Sequence, residues 1–212
     1  MLNRGQFITI EGQDGAGKST NLAVVERLLK DEEIVFVKTR EPGGTEFGET
    51  VRNLILQSDD NAFGDYAELL LMFAARAQHI EEVIEPALEA GKWVLCDRFT
   101  DATYAYQGGG RGVPLERIAE LEKAVQGTLR PNLTIILDVP VSVGEKRAGE
   151  RSAADRFEQQ QLDFKQRVRD TYLQIAKQDP GRVKVVDANQ PLGEVELSIS
   201  KVLLEFLQEN RG

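Results

Sequence analysis

The chain has a single cysteine, Cys96, so no internal disulfide can form, and a reducing, cytoplasmic compartment fits. Cys96 lies in the apolar run Val94-Leu95-Cys96, where a small buried strand residue is expected rather than a reactive thiol. The only histidine, His79, is expected at a packing or surface position, and the only tryptophan, Trp93, in a structural one. Basic charge is also short. Lys and Arg number 26 against 35 Asp and Glu, a formal net charge of −9. That balance argues against nucleic acid or an anionic membrane as the main partner, and an anionic substrate must be captured by local Arg and Lys groups. No apolar stretch approaches the ~20 residues of a spanning helix, and the N-terminal stretch has no signal-peptide core. Repeats and low-complexity tracts are absent. A length of 212 residues fits one domain, 1–212, with or without a flexible lid.

Against these absences stands one complete motif. Residues 12–19 read Gly-Gln-Asp-Gly-Ala-Gly-Lys-Ser, a G-x-x-x-x-G-K-[ST] phosphate loop. It lies between the apolar run Phe7-Ile8-Thr9-Ile10 and a helical run from Ser19 to Lys30, the strand-to-helix context that the motif needs. Its glycines let backbone N–H groups converge on nucleotide phosphates, and the helix N-terminus adds partial positive charge. Lys18 is expected to reach the β/γ oxygens, with the Ser19 hydroxyl on Mg²⁺. The ATP-binding stretch is therefore Gly12, Gln13, Asp14, Gly15, Ala16, Gly17, Lys18, Ser19 and Thr20.

Short apolar runs alternate with helical patterns along the whole chain. Strands are predicted at 7–11, 34–39, 93–97, 133–139 and 183–187, and helices at 19–30, 46–57, 65–90, 114–126, 141–149, 157–178 and 192–210. The long helix 65–90 opens on a capping box, Asp65 with Glu68, and Pro86 should kink it near its end. Continuous apolar strands separated by helices predict an α/β fold, a five-stranded parallel sheet covered on both faces. Ligands then bind beyond the carboxyl ends of the strands. Polar groups gather there: Glu11 and the loop, Thr39-Arg40-Glu41, Asp97-Arg98, and Asp138.

A phosphate loop alone does not separate kinase from GTPase or mechanical ATPase. No Asn-Lys-x-Asp guanine reader is present. The strand Val94-Leu95-Cys96-Asp97 runs straight into Arg98, an acid paired with a base, which suits a second phosphate-bearing substrate better than a bare hydrolytic site. Thr39-Arg40-Glu41-Pro42-Gly43-Gly44, Asp97-Arg98-Phe99 leading to Ala105-Tyr106-Gln107-Gly108, and Asp138-Val139-Pro140 together resemble the bacterial type of the thymidylate kinase family, from the first strand to the last helix.

The resemblance implies a P-loop nucleoside-monophosphate kinase fold, ATP with Mg²⁺ as donor, dTMP as acceptor and a homodimer. It implies an acceptor-phosphate clamp of Arg40, Arg52 and Arg98, where bidentate guanidinium–phosphate pairing favours Arg, with Glu41 in the same stretch. Thymine stacking would fall to Met72 or Phe73, both on a helical face with Arg76. The flat ring favours Phe73, with core packing as the alternative for either. Arg76 would donate to the thymine 4-carbonyl, Thr103 and Gln107 would meet the pyrimidine edge, and Tyr106 would lie beneath the deoxyribose. Asp14 would bind the acceptor 3′-hydroxyl or help organise Mg²⁺, for which Ser19 and Asp97 are the candidate ligands.

Eukaryotic-type relatives place an Arg where this chain has Gly15, so the catalytic cation must come from elsewhere. The segment 146–158 resembles the bacterial-type lid. Arg151 is the expected finger on the transferring phosphoryl group, with Arg147 and Arg156 assisting at the donor nucleotide. The catalytic set is thus Lys18, Arg98, Arg151 and Asp14.

Overall fold

The computed structural model describes residues 4–59, 62–149, 156–158 and 160–210. Five parallel strands, β1 (Phe7–Glu11), β2 (Phe36–Arg40), β3 (Trp93–Asp97), β4 (Leu133–Asp138) and β5 (Val183–Asp187), form one sheet in the order β2-β3-β1-β4-β5. β1 is buried along its whole length, as expected of the central strand of a doubly covered sheet. Register decides what shares an edge. Arg40 lies opposite Asp97, and Asp97 opposite Ile10. The chain segments after β1, β2 and β3 therefore leave the sheet side by side.

Helices α1 (Lys18–Asp31) and α9 (Leu192–Asn210) cover one face. On α9, Val195, Ile199, Leu203 and Leu207 recur every fourth residue, an apolar stripe that packs on Ile8, Ile10 and Ile135. The other elements are α2 (Glu46–Gln57), α3 (Asp65–His79), α4 (Glu85–Glu89), α5 (Thr100–Thr103), α6 (Leu115–Gln126), α7 (Val141–Gly149) and α8 (Leu162–Gln178). Tyr172 and Val168 of α8 pack with Ile136 of β4, and Leu88 of α4 packs with Val94 of β3. Among the described residues, no helix is long and apolar enough to cross a membrane.

Local differences from the sequence reading each have a physical cause. The long helix is not continuous: a π-helical turn, Ile80–Ile84, separates α3 from α4. Pro86 cannot donate an N–H and crowds the carbonyl of residue 82, and a widened turn ahead of it relieves both. The capping box does not form. Gly64 is the N-cap without a side-chain bond, and Glu68 is fully buried against other partners. β2 starts at Phe36 rather than at 34, because the N–H of Ile34 still bonds Leu29 as α1 ends. Helix α8 starts at Leu162 rather than at 157. Residues 100–110, unassigned from sequence, are helical: α5 continues into a π-helical stretch, Tyr104–Gly110. Its glycines are needed for contact, since a Cβ on Gly109 would stand 2.0 Å from Thr171 Oγ1 of α8.

Candidate active site

The phosphate loop leaves buried β1 and enters α1 at Lys18. Lys18 Nζ donates to the carbonyls of Gly12 (3.0 Å) and Gln13 (3.1 Å), so the ammonium is drawn back over the loop. Burial and the neighbouring Arg98 push its pKa down to about 8, although Asp14 and Asp97 act the other way. The loop is pressed against α7. Gly15 has φ +76°, and a Cβ there would lie 1.9 Å from the Gly144 carbonyl. No side chain fits at position 15, which is why a loop arginine is excluded here. A cleft beside the loop is lined by Gly15, Ser19, Thr20, Arg147, Ala188 and Gln190. Arg147 Nη1 donates to the Ala188 carbonyl at 2.9 Å.

Arg98 joins this loop to a second cavity. It follows β3 with φ +68°, a left-handed conformation that is costly for a non-glycine residue. The turn carries its guanidinium away from Asp97, so the acid–base pair expected from adjacency in sequence does not form. Arg98 instead donates to Gly12 O (2.7 Å), Asp14 Oδ1 (2.8 Å), the Tyr106 hydroxyl (2.9 Å) and the Tyr172 hydroxyl (3.2 Å). Its guanidinium lies 4.7 Å from the Tyr106 ring centroid. Shielding from water works to raise the Asp14 pKa, but Arg98 and Lys18 outweigh it and hold the carboxyl below its ordinary value. Behind Arg98, Tyr172 donates to Glu11 Oε2 (2.8 Å) and the Phe99 N–H to Glu11 Oε1 (2.7 Å). Burial raises the Glu11 pKa to about 8.

The second cavity runs from Asp14, Arg52 and Arg98 to Arg76, Thr103 and Gln107. Arg76 is buried. Its Nε donates to Glu41 Oε2 (2.8 Å) and its Nη2 to Thr103 Oγ1 (2.8 Å), while Nη1 is buried without a partner. Glu41 also meets His79 Nδ1 at 2.9 Å, and His79 Nε2 meets Thr39 Oγ1 at 2.6 Å. His79 thus stands in the support of the site rather than at the surface. Burial alone would raise the Glu41 pKa, yet Arg76 and His79 bring it below its ordinary value. Arg52 lines the cavity and donates to the Pro42 carbonyl (3.0 Å), whereas Arg40 is exposed, bound to Glu49 (2.7 Å), and absent from the lining.

Of the two candidate stackers, the geometry places Met72 rather than Phe73 in the cavity lining. Phe73 is buried with Leu69, Val113 and Ile118, and Met72 lines the cavity instead. Adjacent helix positions differ by roughly 100° about the axis, so only one of the two can face a given pocket. Arg156, expected at the donor nucleotide, packs here against Glu68 and Phe63. Its Nη1 is 2.9 Å from Glu68 and its guanidinium 5.7 Å from the Phe63 ring, away from the cleft that contains Arg147. Arg151 lies outside the described residues. Asp138, counted among the strand-end groups, is bound by Arg169 through two bonds of 2.7 and 2.8 Å. Asp97 Oδ1 is buried without a hydrogen-bond partner, and Ser19 is exposed at the start of α1. Among the described residues no group of three or more His, Cys, Asp and Glu side chains converges as a metal cage.

Sequence reasoning missed Tyr172, Phe157, Glu68 and Gly144. Phe157 lines the second cavity beside Met72 and Tyr106. Only Glu68 carried a signal, an acid on an apolar helical face three residues after Asp65, and there the capping pattern offered a simpler explanation.

Comparison with known proteins agrees with this geometry. A family model described as thymidylate kinase matches residues 10–199. A thymidylate kinase of Pseudomonas savastanoi pv. phaseolicola is 54% identical over 208 residues, covering 98% of this chain and 99% of that one. One from Teredinibacter turnerae is 50% identical over 203 residues, covering 96% and 99%. The crystal structure of thymidylate kinase from Ehrlichia chaffeensis superposes with a TM-score of 0.74 at 35% identity, over 94% of this chain and 99% of that one.

Proposed function

The chain belongs to the thymidylate kinase family, nucleoside-monophosphate kinases that phosphorylate dTMP to dTDP with ATP as donor, and we propose that its two clefts divide that reaction between donor and acceptor. Phosphoryl transfer between two anions demands alignment and neutralisation more than covalent chemistry. The loop from Gly12 to Thr20 would hold the ATP phosphates, Lys18 would release its loop carbonyls to meet them, and Arg147 would flank the nucleotide. The dTMP phosphate would sit between Arg52 and Arg98, with Arg40 free to join by leaving Glu49. Asp14 and Tyr106 would position the sugar, and Arg76, Thr103 and Gln107 would read the base against Met72. Arg151 is the arginine that the family pattern offers for the transferring phosphoryl group.

Bound Mg²⁺ would supply charge neutralisation at the group being transferred. Ser19 and Asp97 are the residues that would hold it, and the orphaned buried Oδ1 of Asp97 fits such a ligand. We read residues 1–212 as one domain, with 146–158 as its lid segment, acting in the cytoplasm. A homodimer is supported by apolar side chains exposed on the adjacent helices α2 and α3: Phe47, Leu54, Tyr66 and Leu70.

One observation carries the proposal: Arg98 touches the phosphate loop through Gly12 and lines the acceptor cavity. The Arg98 guanidinium would thus stand between donor and acceptor. The test is ADP release with ATP and Mg²⁺ against dTMP, dUMP, dCMP, dGMP, dAMP, thymidine and a blank. Turnover dominated by dTMP is expected, and Arg98→Ala should lower kcat by about 10²–10³-fold, the scale of losing one transition-state donor. ADP release independent of any acceptor would overturn the reading.

A further inference from the structure

The acceptor cavity is backed by an acid that phosphoryl transfer does not require. Glu68 on α3 is 0% exposed. Its Oε1 accepts from Gln107 Nε2 at 2.9 Å, and its Oε2 lies 2.9 Å from Arg156 Nη1 and 3.5 Å from Arg111 Nη2. A carboxylate facing two guanidinium groups offers acceptors only. Gln107 must therefore turn its NH₂ group toward Glu68, and the orientation of its amide follows from chemistry rather than from assignment. Its Oε1 is left over, and among the described residues no donor reaches it.

Gln107 lines the cavity together with Arg76 and Thr103. Arg76 Nη1 is a buried donor without a partner. Thr103 Oγ1 already accepts from Arg76 Nη2, so its hydroxyl proton is available to a ligand. With the Gln107 carbonyl oxygen as acceptor, the cavity offers donors for a ring oxo group and an acceptor for a ring N–H. A 4-oxopyrimidine has that pairing. A 4-aminopyrimidine has the reverse, an amino donor and a bare ring nitrogen.

We propose that Glu68 is the positioning residue for base discrimination, holding the Gln107 amide in the one orientation that admits a 4-oxopyrimidine nucleotide and rejects a 4-aminopyrimidine one. This rests on the acceptor-site reading above. In Glu68→Gln the second amide can serve as donor or acceptor, so Gln107 becomes free to turn its NH₂ to the base.

The experiment measures kcat/KM of the full chain for dTMP and dCMP. In Glu68→Gln the dTMP:dCMP ratio should fall by about 10-fold or more, the scale of one mispaired buried hydrogen bond, mainly through KM. Gln107→Met leaves the Glu68 ion pairs intact and should lower the ratio similarly, and the double variant should lose no more than Gln107→Met alone. Glu68→Gln leaves two guanidinium groups facing a neutral side chain and could fail to fold. A second measurement needs no change at Glu68: the side-chain NH₂ signal that disappears in Gln107→Met should exchange slowly with solvent in the unaltered protein. An unchanged ratio in Gln107→Met, additive losses in the double variant, or fast exchange of that NH₂ group would overturn the inference. Failure of the unaltered protein to phosphorylate dTMP would instead overturn the acceptor-site reading.

Discussion

Arg98 and Glu11 show how much of the site depends on single side chains held away from water. The left-handed backbone at Arg98 costs energy, and the bonds to Gly12, Asp14, Tyr106 and Tyr172 hold it in place. Glu11 stands behind them, fully buried, with its pKa raised by burial from 4.5 to about 8. A raised folded-state pKa means that the folded chain holds a proton which the unfolded chain has released. Its contribution is fully present below 4.5 and is lost as pH rises to about 8. Urea unfolding from pH 4.5 to 8 should therefore show stability falling more steeply in the unaltered protein than in Glu11→Gln, which keeps the shape without the titration. Parallel curves would refute this. At the same scale, Lys18 and Arg98 were legible in the sequence because motif position defines them. Tyr172 was not, because it lies 161 residues from the Glu11 it bonds.

The contact between the loop and helix α7 rules the element scale. A Cβ on Gly144 would lie 2.8 Å from the Asp14 carbonyl, and Gly15 faces the same crossing. Helix propensity alone makes Gly144→Ala stabilising by about 1 kcal/mol. The crossing predicts the opposite sign, a loss of about 1–3 kcal/mol from overpacking, together with a raised KM for ATP as the loop is displaced. Urea unfolding and ATP saturation check both, and a stabilised variant with normal KM would refute the argument. Elements with strong periodicity were legible from sequence: α2, α7, α9 and β5 have the predicted bounds. Residues 100–110 were not, because Gly108-Gly109-Gly110 reads as a loop until α8 packs against it. Nor was the π-helical turn at Ile80–Ile84, since a proline signals a break without specifying its form.

For the whole molecule, the net charge of −9 sets an acidic surface around a cluster of arginines at one sheet edge. The exposed Phe47, Leu54, Tyr66 and Leu70 on α2 and α3 predict self-association. Sedimentation should show a dimer that Leu70→Glu shifts toward monomer, because burying an unpaired carboxylate in an interface is costly. A monomeric unaltered protein would refute the dimer. The sequence by itself determined the fold class, the phosphate loop and the family, since strand–helix alternation and local motifs are properties of neighbours along the chain. Tertiary structure alone decided that Met72 rather than Phe73 lines the cavity, that Arg98 pairs with Asp14 rather than Asp97, and that Glu68 backs Gln107. Each of these depends on how one element rotates and packs against another distant in sequence, and side-chain direction is settled only when that packing excludes the alternative.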